Sequence, residues 1–215
     1  MFLYARAFAD CADRLALIAP PPERLLIVTC PGLEWTAADS GIAGARVVAL
    51  DALDPHSADL IVAVGVLDQA DDPALAAFIL NHALVPGGRL LGAALGGRSL
   101  ERLRGALLDA ERAGGRAVQR FHPMLDGPAL AELLTAAGLR DAVLDVDRVA
   151  VNYRDIGQLV ADLRDMGCTG SLAGNLDPLQ RKIYEQASQS FSGGRERVPE
   201  TFEILHFSAR SANAV

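Results

Sequence analysis

Residues 59–95 read DLIVAVGVLDQADDPALAAFILNHALVPGGRLLGAAL, and this stretch decides the fold. It opens with the apolar, β-branched run Asp59–Val64, which predicts a buried strand. Asp72 followed by Pro73 predicts the start of a helix, because Asp caps helices and Pro suits their first turn. The segment 85–88, VPGG, predicts a turn into a second apolar strand at Arg89–Leu95. Strand, helix and strand in this order indicate a parallel βαβ unit.

The same alternation continues on both sides of this unit. Upstream, a helix ended by three prolines precedes two apolar runs, Arg24–Cys30 and Arg46–Asp51, which we predict to be buried strands. Downstream, the patterns predict helices at 99–113, 127–137, 156–166 and 178–191, and alternating strands at 142–153 and 201–208. Two late strands joined by helices predict a reversed, antiparallel edge.

We therefore predict a single α/β domain over residues 1–215 with a doubly wound, mostly parallel sheet. The N-terminal helix lies within 1–22 and the sheet core within 23–125. A C-terminal part, 126–215, carries inserted helices within 154–191. Ligands in such sheets bind beyond the carboxyl ends of the strands, which makes the loops after Cys30, Asp51 and Val64 the expected site.

Composition excludes several classes of protein. The chain has 215 residues, 51% of them hydrophobic, so it can bury a core. Its net charge of −7 argues against nucleic-acid binding. The three cysteines, Cys11, Cys30 and Cys168, are odd in number and far apart, which argues against a metal centre or a disulfide framework and favours the reducing cytoplasm. No apolar run approaches the ~20 residues of a membrane span.

Three stretches resemble the class I S-adenosylmethionine-dependent methyltransferase superfamily, in its type-11 branch. Asp59–Pro73 resembles the fourth strand of that fold and the loop after it. Leu84–Leu91 is similar to the family's L-x-P-G-G turn into strand five. The tail resembles two branches, the malonyl-carrier-protein methyltransferase of biotin synthesis and the methyltransferase-like assembly factor of respiratory complex I, through Val151–Tyr153, Leu159–Gly167, Ile183–Tyr184 and Val198–Phe202. The run Gly92–Gly97 followed by Leu100–Arg104 also resembles the assembly-factor branch.

The resemblance implies S-adenosylmethionine as cofactor, but the first loop departs from the family pattern. In the family, an acid in strand one binds the methionyl ammonium and glycines after it let the backbone approach the ligand. When Cys30 is aligned with the family's cysteine, the place of the acid falls on Ile27. The glycine places fall on Thr29, Pro31 and Leu33, and Gly32 alone survives nearby. The sequence therefore predicts a decayed cofactor site.

A missing unit accompanies the missing glycines. The family carries a further strand and helix before its fourth strand, whereas only residues 52–58 separate Asp51 from that strand here. If Asp51 ends strand two, it can bind the ribose hydroxyls; if it ends strand three, it lies near the adenine. A simple turn-forming aspartate is the structural alternative. If binding is retained, Val66 and Leu67 also belong to the cofactor side, with Cys30, Gly32 and Asp51.

Other polar and aromatic residues have two interpretations each. Glu34 and Trp35 either form a remodelled pocket or occlude it, and Trp35 as a cap over the core is favoured. The resemblance places His122 on the acceptor side, where Tyr153 and Tyr184 are further candidates, although core packing explains the tyrosines as well. Asp68, Asp71 and Asp72 suggest a metal cluster, but Asp72 before Pro73 is more simply a helix cap, so no metal is expected.

Two functional hypotheses follow. In the first, favoured here, the chain is a binding or assembly module that acts on a partner protein, with the helices at 156–166 and 178–191 as its partner surface. In the second, it is an active methyltransferase that acts on a small or carrier-bound acceptor through positioning of donor and acceptor. Fold alone does not decide between them. The sequence leaves the oligomeric state open.

Overall fold

The computed structural model describes residues 2–30, 36–115, 118–170, 172 and 177–212. Its helices and strands follow one another as α1 (Phe2–Leu15), β1 (Leu25–Thr29), α2 (Ala37–Ser40), β2 (Arg46–Val47), β3 (Ala58–Val64), α3 (Pro73–Ala83), β4 (Leu84–Leu95), α4 (Glu101–Ala113), α5 (Gly127–Ala136), β5 (Leu139–Tyr153), α6 (Ile156–Asp165), α7 (Arg181–Ser192) and β6 (Val198–Ser211). A 3₁₀ turn at Leu50–Ala52 follows β2.

The strands form one six-stranded sheet in the order β2-β1-β3-β4-β6-β5. The first four strands in this order run parallel to one another. Strand β6 runs antiparallel to both β4 and β5, which makes the reversed edge. The predicted α/β architecture is therefore confirmed, including its antiparallel edge.

The sheet order shows which strand is missing. In the doubly wound order 3-2-1-4-5-6, strand two lies beside strand one and strand three lies outside it. Here β2 pairs directly with β1, with Leu26 opposite Arg46, and the next strand in the chain, β3, lies on the other side of β1. Residues 52–58 hold no strand before the start of β3 at Ala58. Strand β2 thus takes the place of strand two, strand three is absent from the described residues, and Asp51 follows strand two.

The loss explains one wrong prediction. We predicted a buried strand over Arg46–Asp51, but β2 spans only Arg46–Val47 and is partly exposed. Because no described strand covers its outer side, β2 is an edge strand, and edge strands are commonly short. Two other boundaries also differ: β4 already begins at Leu84, ahead of the expected turn, and α7 begins at Arg181 instead of Pro178.

The core has two halves, one on each face of the sheet. Side chains alternate along β1, so Ile27 joins one half while Leu26 and Val28 join the other. Helices α1, α4, α6 and α7 cover the first face, and α3 and α5 cover the second. Because β1, β2, β3 and β4 run parallel, their carboxyl ends lie at one edge of the molecule. Among the described residues, no helix combines the length and hydrophobicity that a membrane crossing needs.

Candidate functional site

Two cavities open at the carboxyl ends of the parallel strands. The edge cavity, about 760 Å³, lies beyond β1, β2 and β3 and is lined by Thr29, Leu50, Asp51, Val66, Asp72 and Ile79, among others. The inner cavity, about 420 Å³, lies between β4, α4 and α6 and is lined by Leu95, Leu100, Leu107, Phe121, Val160 and Leu163, among others. Gln69, Thr169 and Gly170 line both cavities and form the wall between them.

The edge cavity carries the residues expected for a nucleoside. Asp51 is exposed in the turn after β2, and its carboxylate can accept two hydrogen bonds from a ribose diol. Val66 follows β3 and lines the same cavity. Leu67 is not among the described residues that line it, and its side chain is buried in the same half of the core as Val66, with residues of α3. The structure therefore places Asp51 and Val66 on one cavity and Leu67 beside it, and the role of these residues in cofactor binding stays a prediction.

A buried polar cluster lies beside the two cavities, and sequence reasoning missed it. Tyr4 of α1 reaches over Gly65, at the end of β3, so closely that a Cβ on this glycine would lie 2.6 Å from the Tyr4 hydroxyl. That hydroxyl lies 3.1 Å from Cys168 Sγ and 3.7 Å from Cys30 Sγ. Gln69 Nε2 donates to the Tyr4 hydroxyl at 2.5 Å and to Cys168 Sγ at 3.2 Å. Four side chains distant in the sequence thus form one network.

The cluster fills the space beyond β3 and β4 on the α1 side. The remaining void beside Tyr4, Gly65 and Ala93 measures only about 10 Å³, which is room for one water at most. Burial raises the pKa of the Tyr4 hydroxyl, and it raises the pKa of Cys168 to about 12. Both groups are therefore neutral near pH 7, and the network offers no charge to a ligand.

These residues fit only half of S-adenosylmethionine. The edge cavity with Asp51 suits the nucleoside half. At the place of the acid that should bind the ammonium stands Ile27, which is fully buried in the apolar core. Cys30 is also buried, with its thiol turned to Tyr4. The methionine half thus finds no carboxylate among these side chains. The predicted roles of Gly32, Glu34 and Trp35 lie outside the described residues.

Asp68 is a second buried titratable group beside the cavities. It lies in the loop after β3 and lines the inner cavity. Burial raises its pKa to about 6, and the nearby amide of Leu95 offsets part of this effect. The sequence gives no sign of this burial, because Asp68 stands in an acidic run. Asp72, in the same acidic run, forms the predicted helix cap: its Oδ1 accepts from the Leu75 amide at 3.0 Å at the start of α3.

The raised pKa predicts a pH-dependent stability. An aspartate that ionises near pH 6 when folded but near pH 4 when unfolded destabilises the fold progressively as pH rises between these values. The Asp68→Asn variant lacks this penalty, so its free energy of unfolding should exceed that of the natural protein by about 3 kcal/mol at pH 8, with no such advantage below pH 4. Urea unfolding at both pH values measures the difference. An advantage that is equal at both would contradict the assigned pKa.

The three expected acceptor-side residues separate in the structure. His122 lines the inner cavity. Tyr153 is fully buried and packs against Phe202 with ring centroids 6.4 Å apart, so it is a core residue. Tyr184 lies on α7 and is 39% exposed, and it is not among the described residues that line either cavity. The structure thus places His122 at the inner cavity and Tyr153 in the core, and an acceptor-side role for any of the three residues stays a prediction. The described residues contain no group of three potential metal ligands.

Comparison with known proteins gives relatives in two groups, although no family model matches the chain. The malonyl-[acyl-carrier protein] O-methyltransferase 1 of Coxiella burnetii is 28% identical over 130 residues, which cover 59% of this chain and 44% of that protein. The arginine hydroxylase NDUFAF5 of Mus musculus is 29% identical, covering 69% and 45%. NDUFAF5 of Danio rerio is 32% identical, covering 59% and 41%. The chain thus spans less than half the length of these relatives.

Solved structures agree with the chain in fold. The YcgJ protein of Bacillus subtilis superimposes with a TM-score of 0.57 at 8% identity and covers 97% of this chain and 99% of its own. The [4+2]-cyclase SpnF superimposes with a TM-score of 0.51 at 15% identity, covering 98% and 82%. At these identities the likeness concerns the fold, and a cyclase among the neighbours shows that the fold hosts several chemistries. In fold and in sequence the chain is thus similar to class I methyltransferases, and its sequence relatives include the malonyl-[acyl-carrier protein] O-methyltransferases and NDUFAF5.

Proposed function

We propose that the chain is a methyltransferase-family protein with a decayed cofactor site, working as a binding or assembly module on a partner protein. The observation that carries the proposal is the buried network of Tyr4, Gln69 and Cys168, which fills the space beside Gly65. Ile27 supports it from the other side, because an apolar residue stands where the family's acid binds the methionyl ammonium.

The expected penalty for S-adenosylmethionine is large. Displacing a buried aromatic side chain such as Tyr4 forfeits packing of about 3–5 kcal/mol. An ammonium placed against Ile27 also loses its counter-charge, and a charge buried without a partner is costly. A penalty of about 4 kcal/mol alone moves a dissociation constant from about 1 μM to about 1 mM. The cofactor would then bind too weakly to sustain turnover.

A protein partner is the ligand class that the relatives support best. The tail resembles the assembly-factor branch, and NDUFAF5, named as an arginine hydroxylase, is among the sequence relatives. Helix α7 buries Ile183, Ala187 and Phe191 and leaves the Tyr184 side available to a partner. We place the protein in the reducing cytoplasm, in keeping with Cys11, Cys30 and Cys168, which form no disulfide among the described residues.

The second candidate is an active methyltransferase for a small or carrier-bound acceptor. The edge cavity favours it, because about 760 Å³ beside the Asp51 carboxylate is ample room for a nucleoside. The malonyl-carrier-protein methyltransferase of Coxiella burnetii is the relative that suggests the acceptor class.

Calorimetric titration with S-adenosylmethionine separates the two candidates. The decayed site predicts no saturable heat up to about 1 mM cofactor. The Coxiella burnetii relative, titrated in the same buffer, serves as the positive control. Micromolar binding would instead support the enzyme. In that case Asp51→Asn should weaken binding at least about tenfold, since a hydrogen bond to a charged group is lost. Asp54→Asn, an equally exposed neighbour outside the described cavity lining, should leave binding unchanged.

A further inference from the structure

The inner cavity has the size and walls of a small-molecule site. Its volume of about 420 Å³ lies within the range of ligand pockets. Most of its wall is aliphatic or aromatic: Leu100 just before α4, two leucines of α4, a valine and a leucine of α6, and Phe121, together Leu100, Leu103, Leu107, Val160, Leu163 and Phe121. Such a wall suits an apolar ligand body.

One end of this cavity is polar and rich in acceptors. Asp68 and Gln69 lie there, next to each other in the loop after β3. Asp68 Oδ1 and Gln69 Oε1 are buried, and neither atom has a well-formed hydrogen bond from the described residues. Among those residues, no basic side chain lies within ion-pair distance of the Asp68 carboxylate. Gln69 is only 8% exposed. Apart from the Leu95 amide beside the Asp68 carboxylate, the described residues therefore leave these two acceptor atoms without hydrogen-bond donors and Asp68 without an ion-pair partner.

Arg120, in the described wall of this cavity, already pairs with a carboxylate. The Arg120 guanidinium donates twice to Glu111 Oε1, at 3.0 and 2.6 Å, and once to the Asp177 carbonyl at 2.6 Å. Its charge is therefore balanced by that carboxylate. Among the described residues that line this cavity, Asp68 is the carboxylate without an ion-pair partner, and it is negative above its pKa.

We propose that the inner cavity binds a small apolar amine, with its ammonium on Asp68 and its hydrocarbon body against the leucines of α4 and the side chains of α6. An ammonium supplies the hydrogen-bond donors and the positive charge that these acceptor atoms lack. The proposal goes beyond the proposed function and does not rest on it, because it invokes neither S-adenosylmethionine nor a partner protein.

Three probes of one chain length test the ligand class: n-octylamine, 1-octanol and octanoate, titrated calorimetrically at about pH 7.5, where Asp68 is ionised. Octylamine should bind about tenfold or more tightly than octanol, because it alone makes a charge-assisted hydrogen bond to Asp68. Octanoate should bind more weakly still. Equal binding of amine and alcohol, preference for the acid, or no binding of the amine would each overturn the proposal.

Variants tie the preference to this cavity. Asp68→Asn should bring octylamine down to the affinity of octanol, whereas Asp109→Asn, the same change at an exposed site on α4, should keep the tenfold preference. Val160→Phe fills the cavity and should weaken both ligands alike. An amine preference that survives Asp68→Asn would overturn the proposal. The test is also independent of the cofactor titration, since the natural protein can bind octylamine whether or not it binds S-adenosylmethionine.

Discussion

Replacing Arg120 with methionine should lower the free energy of unfolding by about 3–5 kcal/mol. The Glu111 side chain is only 2% exposed and that of Arg120 only 14%, and the two are joined through Glu111 Oε1 at 2.6 Å. Removing the guanidinium takes away the ion pair that this buried carboxylate makes with Arg120, and burial keeps water from replacing it. Urea or thermal unfolding of the variant measures the loss.

A matched control separates this effect from the loss of any arginine. Arg181 makes a similar contact with Glu185 at 2.8 Å, but the two side chains are 91% and 54% exposed. Its replacement with methionine should change stability by no more than about 0.5 kcal/mol. The double variant Glu111→Leu with Arg120→Met should recover most of the loss, because no charge then remains buried. Equal losses in the Arg120 and Arg181 variants would contradict the burial argument.

The ion pair also bears on the inner cavity. Arg120 lines that cavity, and Glu111 anchors it to the buried face of α4. The pair thus fixes part of the wall of this cavity and balances one positive charge there. A stable Arg120–Glu111 pair is therefore a condition for the negative character that we assign to the cavity.

Local sequence signals predicted those parts of the fold that depend on contacts between residues close together in the chain. The Asp72–Pro73 start of α3 was readable because capping depends on atoms three residues apart. Alternation along 142–153 likewise predicted β5, since one of its faces lies against the core. The strand predicted at 201–208 is also present as β6, although its side chains are buried on both faces. The extent of β2 was not readable in the same way. Its apolar residues resemble a buried strand, and only the lack of a covering neighbour leaves it partly exposed.

The candidate site was harder to predict because its main contacts are long-range. Tyr4 and Cys168 are 164 positions apart, and no periodicity or motif connects them. The surroundings of Asp68 are long-range in the same way, because they include Tyr4 of α1 and Cys168 after α6. Asp51, in contrast, directly follows β2, which pairs with β1. Its position at the edge cavity was therefore predictable from the order of the strands.

The change from glycine to alanine at Gly92 should reduce stability by about 3 kcal/mol, the second large effect that we expect. Gly92 lies in β4, between β3 on one side and β6 on the other. A Cβ at this position would overlap both the carbonyl oxygen of Ala63 and the ring of Phe207. The ring is fully buried and the carbonyl belongs to the neighbouring strand, so neither can give way without disturbing the sheet.

Gly105→Ala is the same substitution with the opposite expected sign. Gly105 lies inside α4 with nothing within 4 Å of an added Cβ, so alanine should stabilise the protein by about 0.5–1 kcal/mol through its higher helix propensity. Chemical unfolding of both variants checks the pair. A mild effect at Gly92 would mean that β4 and β6 separate easily. The opposite signs would instead explain the Gly92–Gly97 run as packing: a glycine there admits Phe207 to the sheet, and this requirement holds whether or not a cofactor binds.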